Sequence, residues 1–206
     1  MYRFILSSLY CTSLLALIAS LPLLAKETPK AYAQCIACHG ENGEGNAALS
    51  SPAIAGLSEQ YLSRQLKNYA SGKRGYESAD SYGQQMAAIS KSLDLNKDVP
   101  ELAKYIATLP KPTIEQKVSG DLKNGHRYYH AKCGACHGGQ GQGNSSFKAP
   151  KLAGQHFDYL ARQMQNFSQG MRGKHPDDKY GRQMAMMART VSDKELADIL
   201  FFISQQ

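Results

Sequence analysis

The sequence predicts an all-α chain of two tandem domains related by an internal duplication. Three observations carry this prediction. The stretch Cys35-Ile36-Ala37-Cys38-His39 returns 98 residues later as Cys133-Gly134-Ala135-Cys136-His137. Loops and apolar stripes follow both copies in the same order. The stripes themselves repeat at helical spacing, as in Tyr61, Leu62, Leu66 and Tyr69.

Two cysteines at this spacing, followed directly by histidine, form the pattern for covalent attachment of a c-type haem. Thiols three residues apart on one helical turn can each add to a vinyl group of one porphyrin. The histidine that follows is then carried under the ring, where an imidazole nitrogen binds iron. Two copies predict two covalently bound haem c groups, held by Cys35 and Cys38 and by Cys133 and Cys136, with His39 and His137 as iron ligands. A zinc site is the weaker reading, because each half supplies two cysteines and one equivalent histidine. The 206 residues divide into halves of a little under about 100, small for an unaided apolar core. A haem supplies the missing apolar body.

Residues 1–25 are set aside. Arg3 is their only charge, Phe4 to Leu24 is largely apolar, and Leu23-Leu24-Ala25 precedes Lys26-Glu27. This pattern predicts a secretory signal peptide cut after Ala25 and hence an exported protein. An uncleaved membrane anchor is the alternative, since the run is about long enough to span a bilayer. Of five cysteines, Cys11 lies in this segment and the other four are in the two motifs, so none remains for a structural disulfide.

The first domain is expected over 26–110. Thr28 to Cys38 suits a short helix entering the first motif, and the Gly- and Asn-rich run from Gly40 to Ser51 a loop around one haem edge. Pro52 can turn the chain so that a backbone carbonyl accepts the second ring N–H of His39; an ordinary loop proline is the alternative. Ser58 is a good N-cap for a helix to about Ser71, closed by Gly72. Gly72 to Gly83 reads as a loop. Met86 is the only methionine of the mature first half and His39 its only histidine. Met86 is therefore the best remaining strong-field ligand for the other iron face, against the alternative of a core filler. Asn96 to Leu109 is a second helix, with Val99, Leu102, Tyr105 and Ile106 on one face and Pro100 in its first turn. Pro110-Lys111-Pro112-Thr113 is stiff, and 111–113 is taken as the linker.

The second domain, 114–206, repeats this order. Ser119 opens a helix carrying Leu122, Tyr128 and Tyr129 into Cys133. Gly138 to Ser146 is the glycine-rich loop, and Pro150 to Gly154 matches Pro52 to Gly56. Phe157, Leu160, Met164 and Phe167 form a stripe ending at Gly170, and Ser192 to Glu195 is a capping box for the last helix. A shift of 98 aligns Gln65 with Gln163, Arg74 with Arg172, Tyr82-Gly83 with Tyr180-Gly181 and Met86 with Met184, with no gap. The register thus selects Met184 from five methionines, with Met186 and Met187 on the same segment as alternatives. Arg74 and Arg172 are candidates to bind haem propionates, or else surface residues. His126, His130, His156 and His175 lack counterparts and read as surface or packing groups.

Charge divides the halves. Residues 26–110 hold 9 basic and 9 acidic groups, whereas 111–206 hold 14 and 8, a net +6. With two propionates per haem these become about −2 and +4, a dipole that would orient the molecule toward a charged partner. Export and the absence of a dense basic run argue against nucleic acid.

These residues taken together resemble the cytochrome c4 family of diheme bacterial cytochromes. The resemblance rests on Cys-x-x-Cys-His-Gly, Pro-x-Leu/Ile-Ala-Gly, Tyr-Leu-x-Arg-Gln at 61–65 and 159–163, Gly-x-Arg at 72–74 and 170–172, and the Met-Ala segments at 86 and 184, all in duplicate. It implies two class I cytochrome c folds about a pseudo-twofold axis, each with His/Met iron. It further implies a periplasmic electron carrier, often membrane-associated, passing electrons from a bc1-type complex to terminal oxidases. The Gly72–Tyr82 and Gly170–Tyr180 connections carry Tyr-Glu-Ser-Ala-Asp and Lys-His-Pro-Asp-Asp, longer and more charged than such a family suggests. Iron sealed by His and Met has no open position, so electron transfer rather than catalysis is expected. The rival readings are the diheme cytochrome subunit of a flavin-containing sulfide dehydrogenase and, from another class, a diheme peroxidase.

Overall fold

The computed structural model describes residues 27–206; the segment read as a signal peptide lies outside them. A 3-10 turn at Lys30–Tyr32 leads into α1, Ala33–His39. The rest of the first half is α2, Glu59–Ala70, α3, Ser81–Lys91, and α4, Asp98–Ile106. The second half has α5, Leu122–Lys132, and α6, Gly134–His137, then α7, Phe157–Ser168, α8, Lys179–Ala188, and α9, Asp193–Ser204. The only β-pairing among the described residues is one isolated bridge per half, Asn46 with Ser51 and Asn144 with Ala149, which pins each glycine-rich loop.

Helix starts follow from their caps. Ser58 accepts the Tyr61 N–H at 3.3 Å, and Ser192 with Glu195 forms the expected capping box. Two boundaries differ from the sequence reading. The loop after Gly72 ends earlier than Gly83, because Asp80 caps α3 by accepting the Gly83 N–H at 3.0 Å. The helix into the second motif is opened by Asp121, not Ser119. Its carboxylate accepts the Asn124 N–H at 2.9 Å while its own N–H is tethered to Asp198 of α9.

Each half closes on its own core. Tyr32 packs with Leu62, Leu93, Val99, Leu102, Ala103 and Ile106; Tyr129 packs with Leu160, Ile199, Leu200, Phe202 and Ile203. Tyr32 and Tyr129 are fully buried, and both hydroxyls are spent on the glycine that ends the motif helix. Tyr32 donates to the Gly40 carbonyl at 3.2 Å and Tyr129 to that of Gly138 at 2.6 Å. No helix among the described residues is long and apolar enough to cross a membrane.

Candidate functional site

Each motif places two thiols and an imidazole on a short helical segment, which then reverses sharply. Gly40 and Gly138 sit at φ +81° and +82°, a backbone conformation other residues rarely tolerate. The chain then runs through the loop and returns as proline. His39 Nδ1 lies 2.8 Å from the Pro52 carbonyl oxygen and His137 Nδ1 2.9 Å from that of Pro150. A carbonyl can only accept, so Nδ1 carries the proton and Nε2 keeps its lone pair. Both imidazoles are buried, at 6 % and 7 % exposure. Burial pulls their pKa values below the ordinary histidine range against the opposing pull of the proline carbonyls. A buried, neutral, oriented imidazole is the form that binds a metal.

The thiols of each pair differ. Cys35 and Cys133 are half-buried, and burial pushes their pKa values up to about 11; Cys38 and Cys136 are exposed. Met86 lies half-buried on α3 and Met184 on α8, helices that pack on α2 and α7 respectively. Met184 packs with Met164 against Phe167, Ala185 and Ala188. Met186 and Met187 turn outward, at 60 % and 40 % exposure.

The repeated Tyr-Leu-x-Arg-Gln segments are where the halves meet, a role their spacing alone did not disclose. Arg64 donates to the Lys148 carbonyl and Arg162 to the Ser50 carbonyl, both at 2.7 Å. The same guanidiniums lie over Tyr180 and Tyr82, at 4.8 and 4.4 Å from the ring centroids. Arg74 bonds Gln65 of its own half at 2.7 Å and Gln163 across the interface at 2.9 Å; Arg172 bonds Gln163 at 2.6 Å and Gln65 at 3.0 Å. Tyr159 and Tyr61 complete the ring. Every contact has its counterpart 98 residues away, which is a pseudo-twofold axis written in side chains. The longer connections also face each other, Lys73 toward Asp177 and Lys174 toward Glu77.

Arg74 and Arg172 are therefore not surface residues: they are 4 % and 6 % exposed. The ring holds two guanidiniums and no carboxylate, and the Nε of each arginine is buried without a partner. Two buried like charges need a counter-anion. The donor set thus fits a haem on every side: thiols for the vinyl groups, Nε2 for iron, and guanidiniums for carboxylates.

The family model for cytochrome c matches the chain twice, over residues 25–110 and 122–206. The chain belongs to the cytochrome c family. Within it, the chain is 30 % identical to cytochrome c4 of Azotobacter vinelandii over 181 residues, covering 83 % of each. It is also 30 % identical, over 196 residues covering 88 % of the chain and 87 % of the relative, to a thiosulfate dehydrogenase electron acceptor of Stutzerimonas stutzeri. The structure of Acidithiobacillus ferrooxidans cytochrome c4 superimposes with a TM-score of 0.69 at 26 % identity, covering 85 % of this chain and 99 % of that one. The cytochrome is thus a diheme c4-type electron carrier with two covalently bound haem c groups, and not an enzyme. The peroxidase reading falls away.

Proposed function

We propose that Cys35 and Cys38 hold one haem and Cys133 and Cys136 the other, with His39 and Met86, and His137 and Met184, as axial ligands. The observation that carries this reading is the buried imidazole on each motif segment, fixed through Nδ1 so that Nε2 is free for iron. The haem supplies one-electron cycling between Fe(III) and Fe(II); the protein supplies ligands, burial and orientation. For the far ligand in the second half, the 98-residue register favours Met184, and so does its inward packing beside exposed Met186 and Met187. Met164 aligns with Leu66 and has no counterpart ligand. Arg74 and Arg172 bind the propionates through the nitrogens left without partners.

The test is the weak iron–methionine absorption band. Met86→His and Met184→His each remove half of it. An intact band in Met184→His, together with a halved band in Met186→His or Met187→His, would overturn the assignment.

The cytochrome is exported to the periplasm, where it takes electrons from a bc1-type donor and passes them to a terminal oxidase, with peripheral membrane association. A second reading follows from the Stutzerimonas relative: the donor is a thiosulfate dehydrogenase. Stopped-flow reduction of the oxidised cytochrome by each purified donor separates the two. The reading whose donor gives no saturable reduction fails.

A further inference from the structure

The arginine–glutamine ring obeys the pseudo-twofold, but a buried contact across the interface breaks it, and it falls on the segment whose carbonyl accepts from His39. Gln155 of the second half is buried, at 7 % exposure, and clamps the backbone of Ala53 in the first. Its Oε1 accepts the Ala53 N–H at 2.9 Å and its Nε2 donates to the Ala53 carbonyl at 2.8 Å. The Ala53 N–H and the Pro52 C=O belong to one peptide group, and the Pro52 carbonyl is the group that accepts from His39 Nδ1. A continuous chain of hydrogen bonds therefore runs from the Gln155 amide, through that peptide, to the imidazole.

The second half receives no such help. Leu57 stands where the twofold would require a glutamine, packs against the first core, and has no polar atom to offer the Pro150–Lys151 peptide. The neighbouring position departs as well. Ser58 caps α2, but His156 replaces it at the start of α7 and makes no side-chain cap. Gln116 Oε1 instead accepts the Phe157 N–H, the first of the helix, at 2.7 Å, and Gln116 Nε2 donates to the Gln155 carbonyl at 3.1 Å. The His156 ring lies over Gly45, where a Cβ would come within 2.7 Å of Nε2. The Gly45 N–H in turn donates to the His39 carbonyl at 2.8 Å. Gln155 and His156 thus both close on the loop that holds His39.

We infer that Gln155 is a positioning residue for the first iron site, supplied by the second domain, and that it sets the potential of the first haem without acting on the second. The inference rests on the proposed ligation by His39. Donation from Ala53 N–H to Gln155 polarises the peptide and strengthens the Pro52 carbonyl as an acceptor. A stronger acceptor makes the imidazole more basic and favours Fe(III). Removing Gln155 therefore raises the first potential.

The experiment is a redox titration of the mature diheme protein, with haem-methyl resonances assigned to each half through Met86→His and Met184→His. In Gln155→Leu, which installs the residue found at position 57, the first midpoint rises and its haem-methyl shifts move while the second haem stays put. Gln116→Ala, which loosens the base of the clamp, gives a smaller shift in the same direction and serves if Gln155→Leu does not fold. Gln60→Ala removes the cross-domain bond from Lys148 far from the clamp and moves neither midpoint. Unmoved midpoints in both clamp variants, or equal movement of both haems, would overturn the inference. Absence of two covalent haems from the unsubstituted protein would instead overturn the proposed ligation.

Discussion

The two halves are most alike from the Cys-x-x-Cys-His motifs to the methionine helices and least alike at their ends. From Gln34 to Leu93 and Lys132 to Val191 the offset is 98 residues. Outside that span it is 97: Tyr32 corresponds to Tyr129, each bonding the glycine after its motif, and Leu102 and Ile106 correspond to Ile199 and Ile203 in the cores. The second half has one extra residue before its motif, and the helix breaks there. α1 runs unbroken through Cys35, whereas α5 ends before Cys133, which sits at φ −122°, and α6 restarts at Gly134. Under the proposed ligation the middle must present thiols, imidazole, proline carbonyl and methionine in fixed relation, so an insertion there would misplace all of them. The ends only close the core, and a residue gained or lost is absorbed by a helix break or a longer cap.

That contrast can be broken experimentally, beginning with the end helices. Among the described residues, only the second half has a long helix, α5, crossing its last helix. Gly125 makes the crossing possible, since a Cβ there would collide with the Asp198 carbonyl and come within 3.0 Å of Phe202 Cβ. Gly125→Ala should destabilise the second domain by about 3 kcal/mol and leave the first unchanged. Guanidinium unfolding followed through the haem-methyl resonances of each half checks this. Equal loss in both halves would mean that the domains do not unfold separately.

A smaller effect is expected within the aligned span. The Ser90 hydroxyl is fully buried without a partner, and Ala188 stands in its place in the second half. Ser90→Ala should stabilise the first domain by about 1 kcal/mol, and Ala188→Ser should cost the second a similar amount. An unchanged midpoint in both would show that the two sites are already equivalent.

The smallest effect concerns acid. Lys132 reaches both Glu195 oxygens at 2.8 Å, whereas Gln34, its counterpart, bonds only Ser92, at 3.4 Å. The Lys132 bond, helped by the Ser192 N–H, holds the Glu195 carboxyl down at about 2 from an ordinary 4.5. A carboxyl lowered in the folded state adds stability above its unfolded pKa and loses it as pH falls toward the folded one. Glu195→Gln should therefore flatten the second domain's stability between about pH 4.5 and 2. An undiminished slope would place the acid sensitivity elsewhere.

Much of this was legible in the chain. The paired motifs, Pro52 and Pro150 with their carbonyls toward the histidines, the Ser58 cap and the Ser192–Glu195 box all depend on residues close in sequence, and local geometry fixes them. The loop end at Gly83 and the helix start at Ser119 differ from the Asp80 and Asp121 caps because several polar residues near each start could cap. Only tethers such as Asp121 to Asp198 discriminate among them. Arg74 and Arg172 stood out through repetition, but repetition cannot tell a surface residue from one buried by the partner domain.

The sequence alone thus determined the duplication and the two covalently bound haems, because spacing encodes them directly, and its register supplied the proposal of Met184. The tertiary structure decided how the halves face each other. It made the Arg–Gln ring a shared, buried centre and set Gln155 against the Ala53 backbone of the other domain. Such contacts join residues about 100 positions apart through surfaces that exist only after each half has folded, so no local pattern can announce them.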